Sequence, residues 1–194
     1  MAMRMQGLAV GLLVMAAGAA VAMAEPIGSA EARKAVWPAK TGLAIVMRNH
    51  PKLAADQAAL LATVASGQPY YGAIAFSPDE GIMVEATVAA VNHHSVEAAE
   101  AAALRDCDAK RKGDEGCAVA VVLRPDGWEA RPFQLSQAAT EALRKEYGRT
   151  GPRAMAVSDA TGAYGLGAGE GAAEVAVIAC ATAGATDCNV VVAD

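Results

Sequence analysis

Residues 71–77 read YGAIAFS, and residues 153–158 read RAMAVS. Each segment alternates alanine with a larger side chain, and each is followed by a polar stretch that ends in glycine, PDEG at 78–81 and DATG at 159–162. Alternation with a period of two is typical of a β-strand, and a short connection that contains glycine is typical of a hairpin. The sequence therefore predicts that one strand-and-turn unit occurs twice.

The similarity between the two copies continues downstream. Each copy has a second predicted strand, then an alanine-rich helix that ends in the pattern A-[LV]-x-x-C, then a valine-rich strand that begins with cysteine. In the first copy the second strand is predicted at 82–88, the pattern that ends the helix lies at 103–107, and the valine-rich strand lies at 117–122. In the second copy the corresponding residues are 163–168, 176–180 and 188–192. We therefore expect an α+β fold, with two tandem ββαβ repeats packed as one small domain and additional N-terminal and inter-repeat helices.

The repeats divide the chain into five predicted segments. They are a signal peptide at 1–24, an N-terminal helical or irregular segment at 25–69, the first repeat at 70–123, a linker with a turn and a helix at 124–151, and the second repeat at 152–194. Outside the repeats the pattern predicts helices at 29–37 and 53–65, a strand at 43–47, and a helix that begins after Ser136 and runs to about residue 147.

The first 24 residues have the three parts of a secretory signal peptide. Arg4 supplies a positive charge, an apolar run follows at 7–21, and the small-residue sequence AMA at 22–24 is a cleavage site. A retained membrane anchor is the alternative, but the apolar run is short for a membrane span. We therefore expect cleavage before Glu25 and a periplasmic or secreted protein with no stable membrane span.

All four cysteines lie in the expected mature chain: Cys107, Cys117, Cys180 and Cys188. An even number of cysteines in an exported domain fits a disulfide framework, and four cysteines allow three pairings. A helix that packs back on its own sheet brings its last turn beside the start of the returning strand. We therefore expect the local pairs, Cys107 with Cys117 and Cys180 with Cys188. The spacing contains no C-x-x-C, which argues against zinc or redox catalysis.

Composition limits the classes of function. The chain has 194 residues and a net charge of −5, and 49 of its nominally hydrophobic residues are alanine. Each buried alanine removes little apolar area from water, so the core is expected to consist of closely packed small side chains. The excess of acidic residues argues against nonspecific binding to nucleic acid or to an anionic membrane. We expect no nucleic-acid partner.

The candidate binding residues are His93, His94 and Glu85. The two histidines are adjacent, and Glu85 could supply a carboxylate to a surface metal or general-base site. The alternative is that both histidines are exposed at the start of a helix. Two ligands without a third of known position fall short of a catalytic zinc site. We therefore predict no catalytic residue, no metal and no cofactor.

Two other features invite a functional interpretation. Asp79 and Glu80 lie in the first hairpin turn, where neighbouring carboxylates are expected to be ionised and solvated. The glycines at 165, 167, 169 and 171 alternate as one face of a strand does, and they match no phosphate-binding motif. We expect them to allow close backbone packing against another element.

The order of hairpin, A-L-x-x-C helix and C-x-V-x-V strand over residues 70–194 resembles a family of exported bacterial domains of unknown function. That resemblance implies the duplicated fold and the location, and it implies no catalytic residues. QPYYG at 68–72, NHH at 92–94 and RPDGWE at 124–129 resemble short proteins that are sometimes named 5-aminolevulinic acid synthase. This second resemblance implies pyridoxal phosphate and a Schiff-base lysine.

The six lysines of the chain all lie in polar or loop-like segments. The sequence therefore favours an exported, disulfide-linked, non-enzymatic binding or interaction module of the cell envelope, whose partner is an envelope protein or a small ligand. The alternative is that the protein is an enzyme. It would then have either a hydrolase-like activity near His93 and His94 or the synthase activity that the second resemblance implies.

Overall fold

The structure is a computed structural model of the chain, and it describes residues 25–194. The predicted signal peptide lies outside the described residues. Within them the helices are α1 (Ser29–Ala35), α2 (Ala55–Ala65), α3 (Val96–Asp108), α4 (Gln137–Lys145) and α5 (Ala172–Thr182). The strands are β1 (Leu43–Met47), β2 (Gly72–Phe76), β3 (Val88–Ala90), β4 (Ala118–Pro125), β5 (Arg153–Val157), β6 (Tyr164–Ala168) and β7 (Asn189–Ala193).

The strands form two antiparallel sheets that share one topology. The first sheet has the order β1-β4-β2-β3, and the second has the order β6-β5-β7. The first strand of each repeat is central, with β2 between β3 and β4 and β5 between β6 and β7. The register even shifts at the same step, between Ile74 and Ala75 and between Met155 and Ala156. The predicted α+β fold with two ββαβ units is confirmed, and β1 adds a fourth strand to the first sheet.

The alternation of small and large side chains in β2 and β5 separates two packing layers. Ala73 and Ala75 face the repeat's own helix α3, whereas Ile74 and Phe76 pack against Leu61 of α2 on the other face of the sheet. In the second repeat the alanines of β5 face α5, and its larger residues pack against α1 and α4. Each sheet therefore lies between two helical layers, because side chains alternate across a strand.

Side-chain caps define the starts of two helices. Ser95 Oγ accepts the backbone N–H of Ala98 at 3.0 Å, and Ser136 Oγ accepts that of Ala139 at 3.1 Å. These are the capping serines that the sequence predicts for α3 and α4. Three helix ends differ by about two residues from the predictions. Helix α1 ends at Ala35 instead of residue 37, α2 begins at Ala55 instead of residue 53, and α4 ends at Lys145 instead of about residue 147.

The second strand of the first repeat is shorter than predicted. Residues 82–87 are irregular, and only Val88–Ala90 pairs with β2. Ile82 is buried on the α2 side of the sheet, Ala86 is buried on the α3 side, and the backbone turns between them, with Thr87 N–H donating to Val84 O at 3.0 Å. The prediction of a strand at 82–88 is therefore wrong, because burial on opposite sides of the sheet places these residues in a connection that passes its edge.

Glycines in β6 let α5 approach the sheet closely. A Cβ atom added to Gly167 would overlap the carbonyl oxygen of Ala172 and lie 2.7 Å from the nitrogen of Ala176. A Cβ added to Gly165 would overlap backbone atoms further along α5. The expected close packing is confirmed for these two positions. Gly169 and Gly171 instead form the turn into α5, with φ of 81° and 70°.

Candidate functional site

Both repeats have one disulfide at the corner where the helix meets the returning strand. Cys107 is bonded to Cys117 and Cys180 to Cys188, and the Cα atoms are 6.1 Å apart in each pair. The predicted local pairing is confirmed. Cys107 and Cys180 are fully buried, and none of the cysteines within residues 25–194 is free. The four cysteines therefore serve as cross-links.

His94 is buried and connects the two repeats. Its Nδ1 accepts the backbone N–H of Ser136 at 3.1 Å, and its Nε2 lies 3.1 Å from the carbonyl oxygen of Ala163. An acceptor at Nδ1 and a donor at Nε2 require the neutral imidazole with its proton on Nε2. His94 therefore joins the start of α3 to the first turn of α4 and to the hairpin of the second repeat.

His93 and Asn92 extend this connection. His93 is also buried, with Nδ1 3.4 Å from the carbonyl oxygen of Asp159, and Asn92 Oδ1 accepts the N–H of Ala138 at 3.0 Å. We call Asn92, His93 and His94 the inter-repeat junction. The interpretation of both histidines as exposed is therefore wrong, because the second repeat covers them.

Glu85 does not contribute to this junction. It is exposed in the connection between β2 and β3, and no hydrogen bond joins its carboxylate to either imidazole in the described part of the chain. Residues 25–194 also contain no group of three His, Cys, Asp or Glu side chains placed to hold a metal ion. Ligand binding by His93, His94 and Glu85 stays a prediction, and the contacts of the two histidines are structural.

Burial makes the junction sensitive to acid. Desolvation lowers the pKa of both His93 and His94 below the ordinary value of 6.5. The imidazole of His93 lowers the pKa of His94 as well, whereas Asp159 and Asp187 act in the opposite direction without reversing the shift. The two histidines take up protons at a higher pH in the unfolded chain than in the folded chain. Their contribution to the free energy of unfolding is therefore complete above about pH 6.5 and is lost as the pH falls below that value.

We expect His94→Ala to lower the free energy of unfolding at pH 7.5 by about 2 kcal/mol, since it leaves the Ser136 N–H and the Ala163 carbonyl buried without partners. The same variant should also lose less stability than the wild type when the pH is lowered from 7.5 to 5. Urea unfolding at pH 7.5 and at pH 5 measures the two effects. An unchanged pH dependence would show that His94 does not titrate during folding. His50→Ala, at a partly exposed histidine outside the junction, is the control.

The carboxylates of the first hairpin turn make hydrogen bonds, although Asp79 is exposed to solvent. Asp79 contacts Lys52 Nζ at 2.5 Å and accepts the N–H of Glu115 at 2.9 Å, and Glu80 accepts the N–H of Lys112 at 2.9 Å. The hydrogen bond from Lys52 is the main cause that lowers the pKa of Asp79, and the N–H of Lys112 is the main cause for Glu80. These carboxylates tie the turn to the loop between Cys107 and Cys117.

The second repeat also joins its hairpin to the loop between its cysteines, but there the loop supplies the carboxylate and the hairpin supplies the donors. There the carboxylate is Asp187, in the loop between the second pair of cysteines, and it accepts the N–H of Ala160 at 3.0 Å and the hydroxyl of Ser158 in the hairpin. Asp79 is exposed, Glu80 is half-buried, and the lowered pKa of both keeps them ionised, as expected. Their hydrogen bonds to the loop were not expected from the sequence.

A cavity of about 520 Å³ lies where α1, the end of α4 and the start of β5 meet. We call it the arginine cavity. Its lining consists of one serine, one glycine and five cationic side chains: Ser29, Gly148, Arg33, Arg144, Lys145, Arg149 and Arg153. These are five of the 16 Lys and Arg residues in a chain of net charge −5, and no carboxylate lines the cavity within the described residues.

The two helices hold two of the guanidinium groups in fixed positions. Arg33, in the last turn of α1, donates from Nε and Nη2 to the carbonyl oxygen of Leu143 at 3.3 and 3.0 Å, and from Nη1 to Ser29 Oγ at 3.1 Å. Arg144, in the last turn of α4, donates to the carbonyl oxygen of Arg33 at 3.2 Å. The carbonyl groups at a helix C-terminus carry partial negative charge and favour cations there.

Arg153 lines the cavity and packs beside Tyr147, which is buried and does not belong to the lining. Arg153 Nη2 contacts Asp194 Oδ2 at 3.1 Å, and the side chain is only 12% exposed. Its Nε and Nη1 are buried and have no acceptor among the described residues. The Tyr147 ring lies 5.7 Å from the Arg33 guanidinium and 5.6 Å from that of Arg153, which fits cation–π attraction. Burial raises the pKa of Tyr147 to about 12, so its ring is neutral.

The charges around the arginine cavity are only partly balanced. Arg153 pairs with Asp194, and Lys145 pairs with Glu141. Arg33, Arg144 and Arg149 form no ion pair with any described carboxylate. Hydrogen bonds to carbonyl oxygens orient a guanidinium but leave its positive charge in place. The arrangement is thus suited to bind an anion, and its lining includes no thiol, imidazole or carboxylate for nucleophilic or acid–base catalysis.

Sequence reasoning missed this site, although part of its signal is visible. Residues 144–153, RKEYGRTGPR, contain four of the five cations. The fifth, Arg33, is 111 positions from Arg144. The packing of α1 on α4 is what completes the cavity.

The lysines offer no site for a Schiff base. Lys34, Lys40, Lys52, Lys110, Lys112 and Lys145 are all exposed. A Schiff-base lysine is activated by desolvation or by a neighbouring cation in an enclosed pocket. Lys145 lines the arginine cavity beside other cations, but it is exposed and its hydrogen bond to Glu141 raises its pKa instead of lowering it.

The fold and the cross-links define a small α+β module that carries one disulfide in each of two repeats. Disulfides are typical of proteins in oxidising compartments. Residues 71–131 match a family model described as Domain of unknown function (DUF4189), and this confirms the resemblance to a family of domains of unknown function over β2, β3, α3 and β4. No curated protein and no solved structure shows significant similarity to the chain. Across residues 25–194, no helix combines the length and the apolar character needed to cross a membrane.

Proposed function

We propose that the protein is an exported, non-enzymatic binding module of the cell envelope, and that it binds an anionic ligand in the arginine cavity. Export is supported by the signal-peptide pattern at 1–24 and by the two disulfides. Binding is supported above all by one observation: five cations, and no carboxylate, line a single cavity of an acidic protein.

The cost of gathering these cations is the physical argument for a ligand. Like charges repel one another, and the repulsion is stronger near a low-dielectric protein surface than in bulk water. The helix C-termini offset part of this repulsion at Arg33 and Arg144. They do not act on Arg149, which is exposed and makes no hydrogen bond or ion pair within residues 25–194. An anion would offset the remaining repulsion and so stabilise the folded state.

The pre-formed lining also favours binding. Arg33 donates to two partners, and Arg153 is held by Asp194 and by the Tyr147 ring. Side chains that are already ordered lose little conformational entropy when the ligand arrives. The cavity volume lies within the range of small-molecule sites, which is roughly 300–1,000 Å³.

Thermal unfolding in the presence of different anions tests this function. At constant ionic strength, replacing chloride by millimolar citrate or phosphate should raise the Tm of the exported protein by several degrees, since a ligand that binds only the folded state stabilises it. Mass spectrometry of the same sample should show an N-terminus at Glu25. In Arg149→Ala the rise in Tm should fall to less than half.

The matched control for this test is Lys34→Ala. It removes the same charge from the last turn of α1, is exposed, and does not line the arginine cavity. It should therefore keep the full rise in Tm. If the two variants respond equally, the anions act on the net charge of the protein, and the arginine cavity is not its binding site.

A further inference from the structure

The uncompensated charge of the arginine cavity indicates the charge of its ligand. Three guanidinium groups, those of Arg33, Arg144 and Arg149, have no carboxylate partner among the described residues. A single carboxylate carries one negative charge, whereas a phosphate monoester carries about −1.5 to −2 near pH 7. The lining therefore favours an anion with more than one negative charge.

The number of separate donors favours a phosphoryl group. The cations come from α1, from the last turn of α4, from the loop after α4 and from β5, so four segments of the chain supply donors to the cavity. A carboxylate accepts hydrogen bonds largely in its own plane, whereas a phosphoryl group has three terminal oxygens that point in different directions. Arginine is the side chain that most often binds such groups through paired donors.

The cavity also limits the remainder of the ligand. Its volume of about 520 Å³ is much larger than a bare phosphate needs. No aliphatic or aromatic side chain belongs to its lining, so it offers little apolar surface to an acyl chain. A polar carbon skeleton, such as a sugar or polyol, fits these surroundings.

We infer that the ligand of the arginine cavity is a small phosphorylated polyol or sugar, bound through its phosphoryl group by Arg33, Arg144 and Arg149. This inference rests on the proposed function and specifies the chemistry of its ligand. A phosphodiester in a lipid headgroup carries only one charge and is attached to acyl chains, so the cavity is less suited to it.

Isothermal titration calorimetry with two dianions tests the inference. Glycerol 3-phosphate carries both charges on one phosphoryl group, and malate carries the same total charge on two carboxylates. In low-salt buffer at pH 7.5, glycerol 3-phosphate should bind at one site at least tenfold more tightly than malate. Its affinity should fall at least tenfold in Arg149→Ala and remain unchanged in Lys34→Ala. It should also weaken below pH 6, where the phosphoryl group takes up a proton.

The alternative outcomes separate the two levels of the proposal. If malate binds as tightly as glycerol 3-phosphate and both depend on Arg149, the cavity binds anions without preference for phosphoryl groups, so the inference is wrong and the proposed function stands. If neither compound binds, or if Arg149→Ala changes neither affinity, both are wrong. Sedimentation with phosphatidylglycerol vesicles that is lost in Arg149→Ala would assign the site to a lipid and would also overturn the inference.

Discussion

Gly167→Ala is expected to lower the free energy of unfolding by about 3–5 kcal/mol, near or above the upper end of the usual cost of overpacking. The added methyl group would overlap the carbonyl oxygen of Ala172 and would lie 2.7 Å from the nitrogen of Ala176. Both are backbone atoms of α5, so no side-chain rotation can relieve the overlap. The helix would have to move away from β6 as a unit, while the disulfide at Cys180 restrains its other end. Urea unfolding followed by circular dichroism measures the loss.

Gly116→Ala provides the matched control. A Cβ atom at Gly116 meets nothing within 4 Å, and its φ lies outside the left-handed region. This variant should change stability by less than about 0.5 kcal/mol, as surface substitutions usually do. If Gly167→Ala is also nearly neutral, α5 does not lie against β6 as closely as the structure places it.

Removal of both disulfides should cost about 4–6 kcal/mol in total, because closing each short loop contributes roughly 2–3 kcal/mol in the chain-entropy model. A typical domain has a total stability of about 5–15 kcal/mol, so the variant with all four cysteines replaced by alanine should be largely unfolded near 37 °C. The layers beside α3 and α5 consist mainly of alanine, which provides little apolar area to compensate. Thermal and urea unfolding of the quadruple variant and of each double variant measure the two contributions.

Unfolding of the reduced wild-type protein shows whether the loss of stability comes from the missing disulfide bonds or from the replaced cysteine side chains. If the cross-link is responsible, the wild type in excess dithiothreitol and the quadruple variant should have the same stability within about 1 kcal/mol, the difference expected from small changes in packing. A reduced protein as stable as the oxidised one would contradict the prediction. Each double variant, Cys107→Ala with Cys117→Ala or Cys180→Ala with Cys188→Ala, should lose about half of the total.

Local patterns in the sequence predicted most of the fold. The alternation in β2 and β5 identified the central strands, and the serines before α3 and α4 identified their first turns. The cysteine pairs could be predicted because both partners lie within one repeat, at separations of 10 and 8 residues. In all these cases the physical cause acts over a few residues, so its trace stays within a short window of sequence.

Predictions that depended on distant partners were less successful. His94 looked exposed because the residues that bury it, Ser136 and Ala163, are 42 and 69 positions away. The contacts of Asp79 were not predicted, because Lys52 and the backbone N–H of Glu115 lie 27 and 36 positions away. Residues 82–88 looked like a strand because the pattern does not show that Ile82 and Ala86 are buried on opposite sides of the sheet.

The sequence by itself determined the repeated ββαβ unit, the local cysteine pairs and the alternation that gives each sheet one alanine face. Tertiary structure alone decided that Arg33 joins the four cations of residues 144–153, since α1 must pack on α4 and β5 to complete the cavity. The physical reason is that periodicity and capping are properties of neighbouring residues, whereas a cavity is enclosed by elements whose separation along the chain carries no information about their distance in space.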